Sequence, residues 1–370
     1  MPARALARID LGAVERNCAR LASKLTDGAE LCAVVKADGY GHGAADCARS
    51  ALAGGATRLA VATAGEAQAI RSVLPEASML TMGALTVAEL DTALGAASEI
   101  AVWREGFRRA AADRARALGV PARVHVKHDS GMGRLGNSDP REVLALCRAC
   151  AEDADLELAG VWTHFATADE PDPGFFEEQL DRFADLVVAV RAEHRGVTVH
   201  AANSAAVLRE PRAHFDMARC GIAVYGLDPF GEDPTPRGLE PALALHSYVA
   251  DIKRFAAGDS AGYGRTWRAP GETFVGVLPI GYGDGVRRGL SNNADVLVGG
   301  RRYPLVGTVS MDNVTIDLGP DPSVEPGSEA VLIGAQGDER ILAEELARRL
   351  GTINYEVTCG ISSRVPRVSS

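Results

Sequence analysis

Short apolar runs recur between residues 31 and 226, separated by stretches rich in Ala, Arg and Glu. These stretches, such as TAGEAQAIRSVL and DRFADLVVAVRAEH, space their apolar residues as amphipathic helices do. The eight apolar runs occupy residues 31–37, 58–63, 78–83, 98–103, 122–130, 156–166, 198–204 and 218–226. Eight alternating strand and helix units predict a (β/α)8 barrel of the TIM type at the N-terminal end of the chain.

The pattern changes at residues 227–241, a segment rich in proline and glycine that indicates a loop or linker. Beyond it, apolar and polar residues alternate and glycines punctuate the runs, which is typical of antiparallel strands. One late stretch, residues 341–351, has helical spacing. We therefore predict a barrel domain over residues 1–240 and a mostly β domain over residues 241–370.

Composition narrows the function. The formal net charge is −10 over 370 residues, which disfavours a nucleic-acid partner, and no apolar run is long enough to predict a membrane span. The N-terminal residues carry charges throughout and do not resemble a signal peptide. Seven scattered cysteines favour reduced thiols in a cytoplasm. Cys147 and Cys150 form an isolated C-x-x-C in a helical stretch, which predicts packing, and we expect no metal site.

Polar residues stand where the predicted barrel strands end. Because active sites lie at the C-terminal ends of barrel strands, these residues are the candidates for chemistry. They are Lys36 on the first strand, Lys127 and Arg134 on the fifth, His164 on the sixth, Asn203 and Ser204 on the seventh, and Arg219 and Gly221 on the eighth.

The last two strand ends predict a phosphate site. Ser204 offers a hydroxyl, and Gly221 and Ile222 offer backbone N–H groups, at the loops where barrels usually bind phosphate. A lysine at the same mouth suggests an aldehyde cofactor held as a Schiff base, which is pyridoxal 5′-phosphate. For Lys36, a charged strand end that reaches solvent remains the alternative. A dinucleotide site is disfavoured, since GYGHG lacks the G-x-G-x-x-G spacing.

The segment AVVKADGYGHG at 33–43 resembles the pyridoxal-lysine signature of bacterial alanine racemases. Similar matches follow in order along the chain: VHVKHDSGMGRLG, THFATADE, HAANSAA, RCGIAVYG, GYGRTW, GYGDG, VGTVSMDN, TINYE and the terminal RVPR. The resemblance implies a cytoplasmic, pyridoxal-phosphate-dependent enzyme that interconverts L-alanine and D-alanine for cell-wall peptidoglycan. It also implies a homodimer in which the barrel of one subunit faces the β domain of the other.

The resemblance assigns roles to individual residues. Lys36 would form the Schiff base and act as one catalytic base, and Tyr263 of the partner subunit would be the base on the opposite face. Arg219 would face the pyridine nitrogen, with His164 beside it. The other cofactor positions would be Tyr40, Asn203, Ser204, Gly221, Ile222 and Tyr355.

The substrate carboxylate would be held by Arg134 and by the backbone N–H of Met311 from the partner. Lys127 matches a lysine that many family members carry as N6-carboxylysine, an anion that orients the arginine; an unmodified lysine remains the alternative. The chain departs from the family at Ala261–Gly262, before the tyrosine, and at Thr308, where arginine is common near the substrate entrance. The substrate, alanine or also serine, therefore stays open.

Two other functions are disfavoured. A non-catalytic pyridoxal-phosphate-binding protein would end near the end of the barrel, whereas this chain continues with a long β region that contains Tyr263. A barrel decarboxylase would show a cysteine motif in the β domain, and the sequence has none. We expect the other histidines of interest to be structural: His42, His125, His128 and His200.

Overall fold

The computed structural model of the chain describes residues 4–321 and 323–369. They form two compact units. The first contains residues 14–39 and 44–224, and the second contains the described residues up to Ala13, Tyr40–Gly43 and the chain from Tyr225 onward. The predicted domain boundaries place those two N-terminal segments with the barrel. The division at residue 240 stays a prediction.

The strands are, in chain order, β1 (Leu6–Ile9), β2 (Glu30–Val34), β3 (Arg58–Val61), β4 (Met79–Thr81), β5 (Glu99–Val102), β6 (Ala122–Lys127), β7 (Leu156–Trp162), β8 (Thr198–His200), β9 (Met217–Cys220), β10 (Leu243–Tyr248), β11 (Asp251–Phe255), β12 (Ser260–Ala261), β13 (Trp267–Arg268), β14 (Thr273–Leu278), β15 (Asp295–Val298), β16 (Arg301–Pro304), β17 (Val314–Gly319), β18 (Glu329–Gln336), β19 (Glu339–Ile341) and β20 (Arg367–Ser369).

The helices are α1 (Leu11–Lys24), α2 (Lys36–Tyr40), α3 (Ala44–Ala53), α4 (Ala64–Val73), α5 (Leu90–Gly95), α6 (Glu105–Leu118), α7 (Pro140–Glu152), α8 (Gly174–Glu193), α9 (Ser204–Arg209), α10 (Ala343–Leu350) and α11 (Asn354–Cys359). Within residues 4–321 and 323–369, none of them is both long and apolar enough to cross a lipid bilayer.

The first unit is a closed barrel of eight parallel strands, β2 to β9, in sequential order. It closes where β2 pairs with β9, which sets Cys32 opposite Arg219. Each of the eight strands lies within, or one residue from, one of the eight apolar runs in the sequence. The prediction of a (β/α)8 barrel is confirmed.

The alternation along β6 shows how the barrel is filled. Val124 and Val126 are fully buried, as expected for residues that face the surrounding helices. The alternate residues point the other way: His125 contacts His200 of β8, and Lys127 lies over the Trp162 ring of β7. A polar layer thus occupies the barrel interior from its middle to its carboxyl-terminal mouth.

The second unit is mostly β, as predicted. Its largest sheet has the order β16-β15-β18-β10-β1-β20, with β19 on β18, and a separate sheet has the order β11-β14-β17. The first strand of the chain, β1, lies antiparallel to β10 and parallel to β20. Helix α10 spans Ala343–Leu350, inside the predicted helical stretch.

The two cysteines of the C-x-x-C pair are buried in α7 as free thiols. Burial raises the pKa of both thiols to about 12, so neither is an anion near neutral pH. In the described parts of the chain, no group of three or more His, Cys, Asp or Glu side chains is placed to hold a metal ion.

Candidate active site

Lys36 stands two residues after the end of β2, at the mouth of the barrel, and begins a left-handed turn. Ala37 and Asp38 have φ of 51° and 52°, in the region that costs an L-residue about 1–2 kcal/mol. Two side-chain contacts hold the turn. Glu66 Oε1 accepts from the Ala37 N–H at 2.8 Å, and Asp38 Oδ1 accepts from the Ala44 N–H at 2.9 Å. The peptide that follows Lys36 is therefore fixed by its neighbours.

Glu66 also caps helix α4. Its Oε2 accepts from the Ala62 and Thr63 N–H groups at 2.8 and 3.2 Å, and the Thr63 hydroxyl accepts from the Glu66 N–H at 3.1 Å. This is a capping box, whose T-x-x-E signature stands in the sequence as TAGE. Glu66 was not among the predicted site residues, although its capping signature is visible in the sequence.

The predicted phosphate donors meet at the ends of β8 and β9. Ser204 begins α9, and its Oγ accepts from the N–H of Gly221 at 3.1 Å and of Ala223 at 3.3 Å. Asn203 is the N-cap of α9, and its Oδ1 accepts from the Ala206 N–H at 3.0 Å. Asn203 thus serves the helix start directly, and Ser204 lies beside the Gly221–Ile222 backbone. Such a cluster of neutral hydroxyl and amide donors fits a phosphate group.

Arg219 is held on several sides inside the mouth. Its NH1 donates to His200 Nδ1 at 2.8 Å, and its NH2 donates to the Thr163 and Ala201 carbonyls at 2.9 and 3.0 Å. Its guanidinium carbon lies 4.8 Å from the centre of the Trp162 ring. Burial lowers the pKa of Arg219 to about 10, so the group remains a cation near neutral pH.

His164 lies beside Arg219, as the resemblance implies. Its Nδ1 is 3.3 Å from Arg219 NH2, which can only donate, so Nδ1 accepts and the proton of the neutral ring sits on Nε2. Burial and the cations of Arg219 and Lys127 hold the pKa of His164 well below its usual value. The ring is therefore neutral around pH 7.

Lys127 ends β6 as a buried amine. Its Nζ stands 3.8 Å from the centre of the Trp162 ring, and in residues 4–321 and 323–369 it forms no ion pair with a carboxylate. Burial, together with the nearby cations of Arg219 and Arg134, lowers the pKa of Lys127 to about 7. A substantial fraction of this lysine is thus an uncharged nucleophile at neutral pH.

Arg134 lies on a loop wrapped around one carboxylate. Asp129 Oδ1 accepts from the N–H groups of Gly131 and Gly133, both at 3.1 Å. Burial opposes ionisation of Asp129, but these backbone donors hold its pKa below the usual range. Asn137 closes the base of the loop, since its N–H donates to the Lys127 carbonyl at 3.1 Å. The loop therefore presents an exposed Arg134 from a fixed backbone.

Tyr263, in the second unit, is presented on a short turn. The 3-10 turn Tyr263–Arg265 follows Gly262, whose φ is 72°, and contains Gly264, whose φ is 71°. The phenol is 74% exposed. The Tyr263 carbonyl accepts from the Thr308 hydroxyl at 2.7 Å. A Cβ at Gly262 would lie 3.0 Å from the Thr308 nitrogen, so the close approach of the two segments requires glycine here.

Met311 is also exposed in the second unit, and its peptide plane is fixed. The Tyr282 N–H donates to the Ser310 carbonyl at 3.0 Å. This carbonyl and the Met311 N–H belong to one trans peptide and point in opposite directions. The Met311 N–H is therefore directed away from Tyr282 as a positioned donor.

Tyr40 and Tyr355, the two tyrosines among the predicted cofactor positions, lie together in the second unit. The ring centres of Tyr40 and Tyr355 are 5.9 Å apart, and the Tyr40 ring also packs on buried Tyr225 at 5.2 Å. A Cβ at Gly41 would come within 2.2 Å of the Thr358 carbonyl oxygen, which is why glycine follows Tyr40. These contacts fix both rings.

The structure divides the predicted residues between the two units. Lys36, Lys127, Arg134, His164, Asn203, Ser204, Arg219, Gly221 and Ile222 belong to the barrel unit, and Tyr40, Tyr263, Met311 and Tyr355 belong to the β unit. Their roles in catalysis remain predictions.

Two family models match consecutive parts of the sequence. The family model "Alanine racemase, N-terminal domain" matches residues 9–229, and "Alanine racemase, C-terminal domain" matches residues 242–369. The chain belongs to the alanine racemase family. Alanine racemases are isomerases that act on amino acids, and membership supports alanine racemisation as the reaction of this chain.

Curated alanine racemases match this chain over most of their own length. The alanine racemase of Symbiobacterium thermophilum is 42% identical over 98% of this chain and 96% of its own. That of Geobacillus stearothermophilus is 43% identical over 98% of this chain and 92% of its own.

Solved alanine racemase structures share the fold. The enzyme from D-cycloserine-producing Streptomyces lavendulae superposes with a TM-score of 0.95 at 36% identity, covering 100% of this chain and 98% of that one. The Bacillus anthracis enzyme with bound L-Ala-P gives a TM-score of 0.91 at 38% identity, covering 100% and 96%.

Proposed function

We propose that the chain is a pyridoxal-phosphate-dependent alanine racemase that interconverts L-alanine and D-alanine with two bases. In this proposal Lys36 and Tyr263 of a partner subunit act on opposite faces of the substrate. The enzyme would form D-alanine in the cytoplasm, and the D-alanine would be used for cell-wall peptidoglycan. The seven free thiols favour a cytoplasmic location, because thiols stay reduced there.

The observation that carries the proposal is the composition of the barrel mouth. Lys36 follows β2, and β2 pairs with β9, which carries Arg219 and leads to Gly221. An amine, a buried cation and a cradle of neutral donors thus lie on neighbouring strand ends. This donor set fits a phosphorylated aldehyde, with Ser204, Gly221 and Ile222 holding the phosphate and Lys36 the aldehyde carbon. When bound, the cofactor accepts the electron pair that deprotonation leaves at the substrate Cα.

Racemisation needs a proton removed from one face of Cα and one returned on the other. A single base would return the proton to the face it came from, so two bases on opposite faces suit the reaction. Lys36 Nζ and the Tyr263 phenol oxygen are the groups proposed for the two faces. The Tyr263 side chain is 74% exposed. This exposure supports a role in the partner's site, because a base that acts in another subunit must be accessible on the surface of its own subunit.

Arg219 determines where charge is stabilised. A guanidinium keeps its protons near neutral pH, so it would donate a hydrogen bond to the pyridine nitrogen without protonating it. Less negative charge would then move into the ring. We infer that this restrains transamination, in which a different carbon takes the proton.

The substrate carboxylate would be held by charge and by a backbone donor. Arg134 supplies the cation, and the Met311 N–H of the partner subunit supplies a directed hydrogen bond. A carbamate on Lys127 would place an anion beside Arg134 and orient its guanidinium. Two features of Lys127 support this modification. Its pKa of about 7 leaves much of the amine uncharged near neutral pH, and no carboxylate of the described residues forms an ion pair with it.

Proton NMR in heavy water tests the proposal. The holoenzyme is incubated with L-alanine and, separately, with D-alanine. We expect the Cα proton signal to disappear from both, with formation of the opposite enantiomer detected by chiral chromatography. The experiment is repeated with serine, because the substrate pocket discriminates one hydroxyl by only about 1–3 kcal/mol.

The variant Tyr263→Phe separates the two bases. One enantiomer should continue to exchange its Cα proton through Lys36, while exchange of the other enantiomer and racemisation are lost. Tyr248→Phe, a tyrosine of β10 outside the proposed site, is the matched control and should retain both activities. Unchanged racemisation by Tyr263→Phe would refute the two-base assignment, and exchange of neither enantiomer by the wild type would refute the racemase.

A further inference from the structure

A chain of four buried polar side chains runs through the barrel interior below Arg219. Arg219 NH1 is 2.8 Å from His200 Nδ1, His200 Nε2 is 2.8 Å from His125 Nδ1, and His125 Nε2 is 2.6 Å from Glu99 Oε2. The exposed fractions of these residues are 3%, 0%, 0% and 6% in the same order. Glu99 begins β5, so the chain reaches the end of the barrel opposite the mouth.

The two ends determine the position of every proton in this chain. Arginine only donates, so His200 Nδ1 accepts and the proton of a neutral His200 ring is on Nε2. That proton is donated to His125 Nδ1, which leaves the His125 proton on Nε2, facing the Glu99 carboxylate. Burial lowers the pKa of His125 and holds that of His200 well below its usual value, which keeps both rings neutral. Each contact then has one donor and one acceptor.

Glu99 is an anion that accepts the last hydrogen bond of this series. Its carboxylate forms ion pairs with Arg58 and with Arg123, whose Nε is 3.0 Å from Glu99 Oε1. Burial opposes its ionisation, but the hydrogen bonds from His125 and Arg58 and the charge of Arg58 hold the pKa of Glu99 below its usual value. The group therefore only accepts hydrogen bonds in any neutral buffer.

The surrounding residues fix the two imidazole rings. A Cβ at Gly160 would lie 2.1 Å from His125 Nδ1, so only glycine leaves room for the ring. The Trp162 ring stacks on His200 with centres 5.6 Å apart and planes 7° apart. With the rings held in place, the variable that remains is which nitrogen carries each proton.

We propose that Glu99 is a positioning residue for Arg219, acting through the tautomers of His125 and His200. If Glu99 stopped accepting, His125 could carry its proton on Nδ1. That proton would oppose His200 Nε2–H, and moving the His200 proton to Nδ1 would oppose the Arg219 guanidinium. The carboxylate at the far end of the barrel thus selects the arrangement in which His200 accepts from Arg219. The proposal rests on the proposed function in that Arg219 is the residue facing the cofactor ring.

Histidine nitrogen NMR measures this directly. Long-range 1H–15N correlations of the 15N-histidine-labelled holoenzyme should show both rings as the Nε2–H tautomer, assigned by loss of signals in His125→Gln and His200→Gln. A protonated Nδ1 in either ring of the wild type would overturn the proposal without recourse to any variant. This reading does not depend on racemisation, so its failure is distinguishable from failure of the proposed function.

Glu99→Gln tests the connection to Arg219. Glu99 Oε2 accepts from both His125 and Arg58, and Oε1 accepts from Arg123, so the NH2 of a glutamine faces a guanidinium in either orientation. With its NH2 in the place of Oε2, the amide donates to His125 Nε2 and reverses the preferred direction. We expect at least one ring to change tautomer, the cofactor absorbance to shift, and kcat to fall by about 10- to 100-fold with a smaller change in KM. Glu157→Gln is the matched control. Glu157 also forms an ion pair with Arg123, at 3.4 Å, but it takes no part in the hydrogen-bonded series from Glu99 to Arg219. It should change none of these.

Three outcomes would overturn the proposal. These are wild-type tautomers and kcat in Glu99→Gln, a tautomer change without any change in kcat or absorbance, and an equal loss of kcat in Glu157→Gln. Glu99→Asp, which retains the carboxylate, should recover part of the activity and keep the wild-type tautomers. If Glu99→Gln does not fold, the wild-type spectrum and Glu99→Asp still decide.

Discussion

The Thr308 hydroxyl donates a hydrogen bond of 2.7 Å to the backbone carbonyl of Tyr263. The Thr266 hydroxyl lies 3.2 Å from the same Thr308 oxygen, and the Asn292 amide donates to Thr266 Oγ1 at 3.1 Å. The three polar groups form a directed series that ends on the carbonyl. Since the Tyr263 ring itself is exposed, its backbone contacts determine where the phenol stands.

We therefore expect Thr308→Val to impair the tyrosine-dependent half of the reaction. A neutral hydrogen bond contributes about 1 kcal/mol, which is roughly a fivefold factor in a rate. Cα exchange in heavy water should slow severalfold for one alanine enantiomer and little for the other. Thr308→Ser keeps the donor and should behave as wild type. If exchange slowed equally for both enantiomers, or did not slow at all, Thr308 would not be the residue that positions Tyr263.

Lys127 should take up carbon dioxide in a pH-dependent way. Only the neutral amine attacks carbon dioxide, forming a C–N bond and releasing one proton to solvent. Because the pKa of Lys127 is lowered to about 7, the reactive fraction grows as pH rises through 7 and falls below it. With 13C-bicarbonate, a carbamate signal should be stronger at pH 8 than at pH 6 and absent from Lys127→Met. No signal at pH 8 would rule out the modification.

The barrel could be predicted from sequence because its information is local. Each buried strand is a short apolar run, and each helix shows its own period of about 3.6 residues. The polar strand ends then define the mouth, which is why Lys36, Ser204 and Arg219 could be named in advance. The glycine-rich turn after Lys36 has a left-handed backbone, which explains its glycines. Glu66 holds this turn through the Ala37 N–H, and no local pattern predicts that contact.

The remaining features depend on pairs of residues far apart in the chain. Strand β1 has only four residues, and its partners lie far along the chain at β10 and β20, so the sequence offered no local signal for it. His125 and His200 were expected to be structural, and no local pattern indicated that the two rings contact each other inside the barrel. The alternation of His125 and Lys127 along β6 does indicate a polar face inside the barrel, but it does not reveal Glu99 as the acceptor at the far end of the hydrogen-bonded series.

Arg219→Glu should change which carbon is protonated. A carboxyl group held close to the pyridine nitrogen can share a proton with it, so more charge would enter the ring. We expect incubation with alanine to convert bound cofactor slowly to pyridoxamine phosphate, measured by absorbance and chromatography. Arg219→Lys keeps a cation and should not gain this product, although it loses the fork that reaches His200 and the Thr163 carbonyl. An Arg219→Glu variant without pyridoxamine phosphate would count against the role assigned to the arginine.

Gly160→Ala should destabilise the barrel from its interior. The new Cβ would lie 2.1 Å from His125 Nδ1, so the buried ring or strand β7 must move. Overpacking of this kind costs about 1–3 kcal/mol, and here it also breaks the contact between His125 and His200. Gly65→Ala in α4 meets no atom within 4 Å, and by reducing the freedom of the unfolded chain it should be neutral or slightly stabilising. Calorimetry of both holoenzymes at equal cofactor concentration should give a lower thermal midpoint for Gly160→Ala alone. Equal midpoints would mean that the glycine is not what makes room for His125.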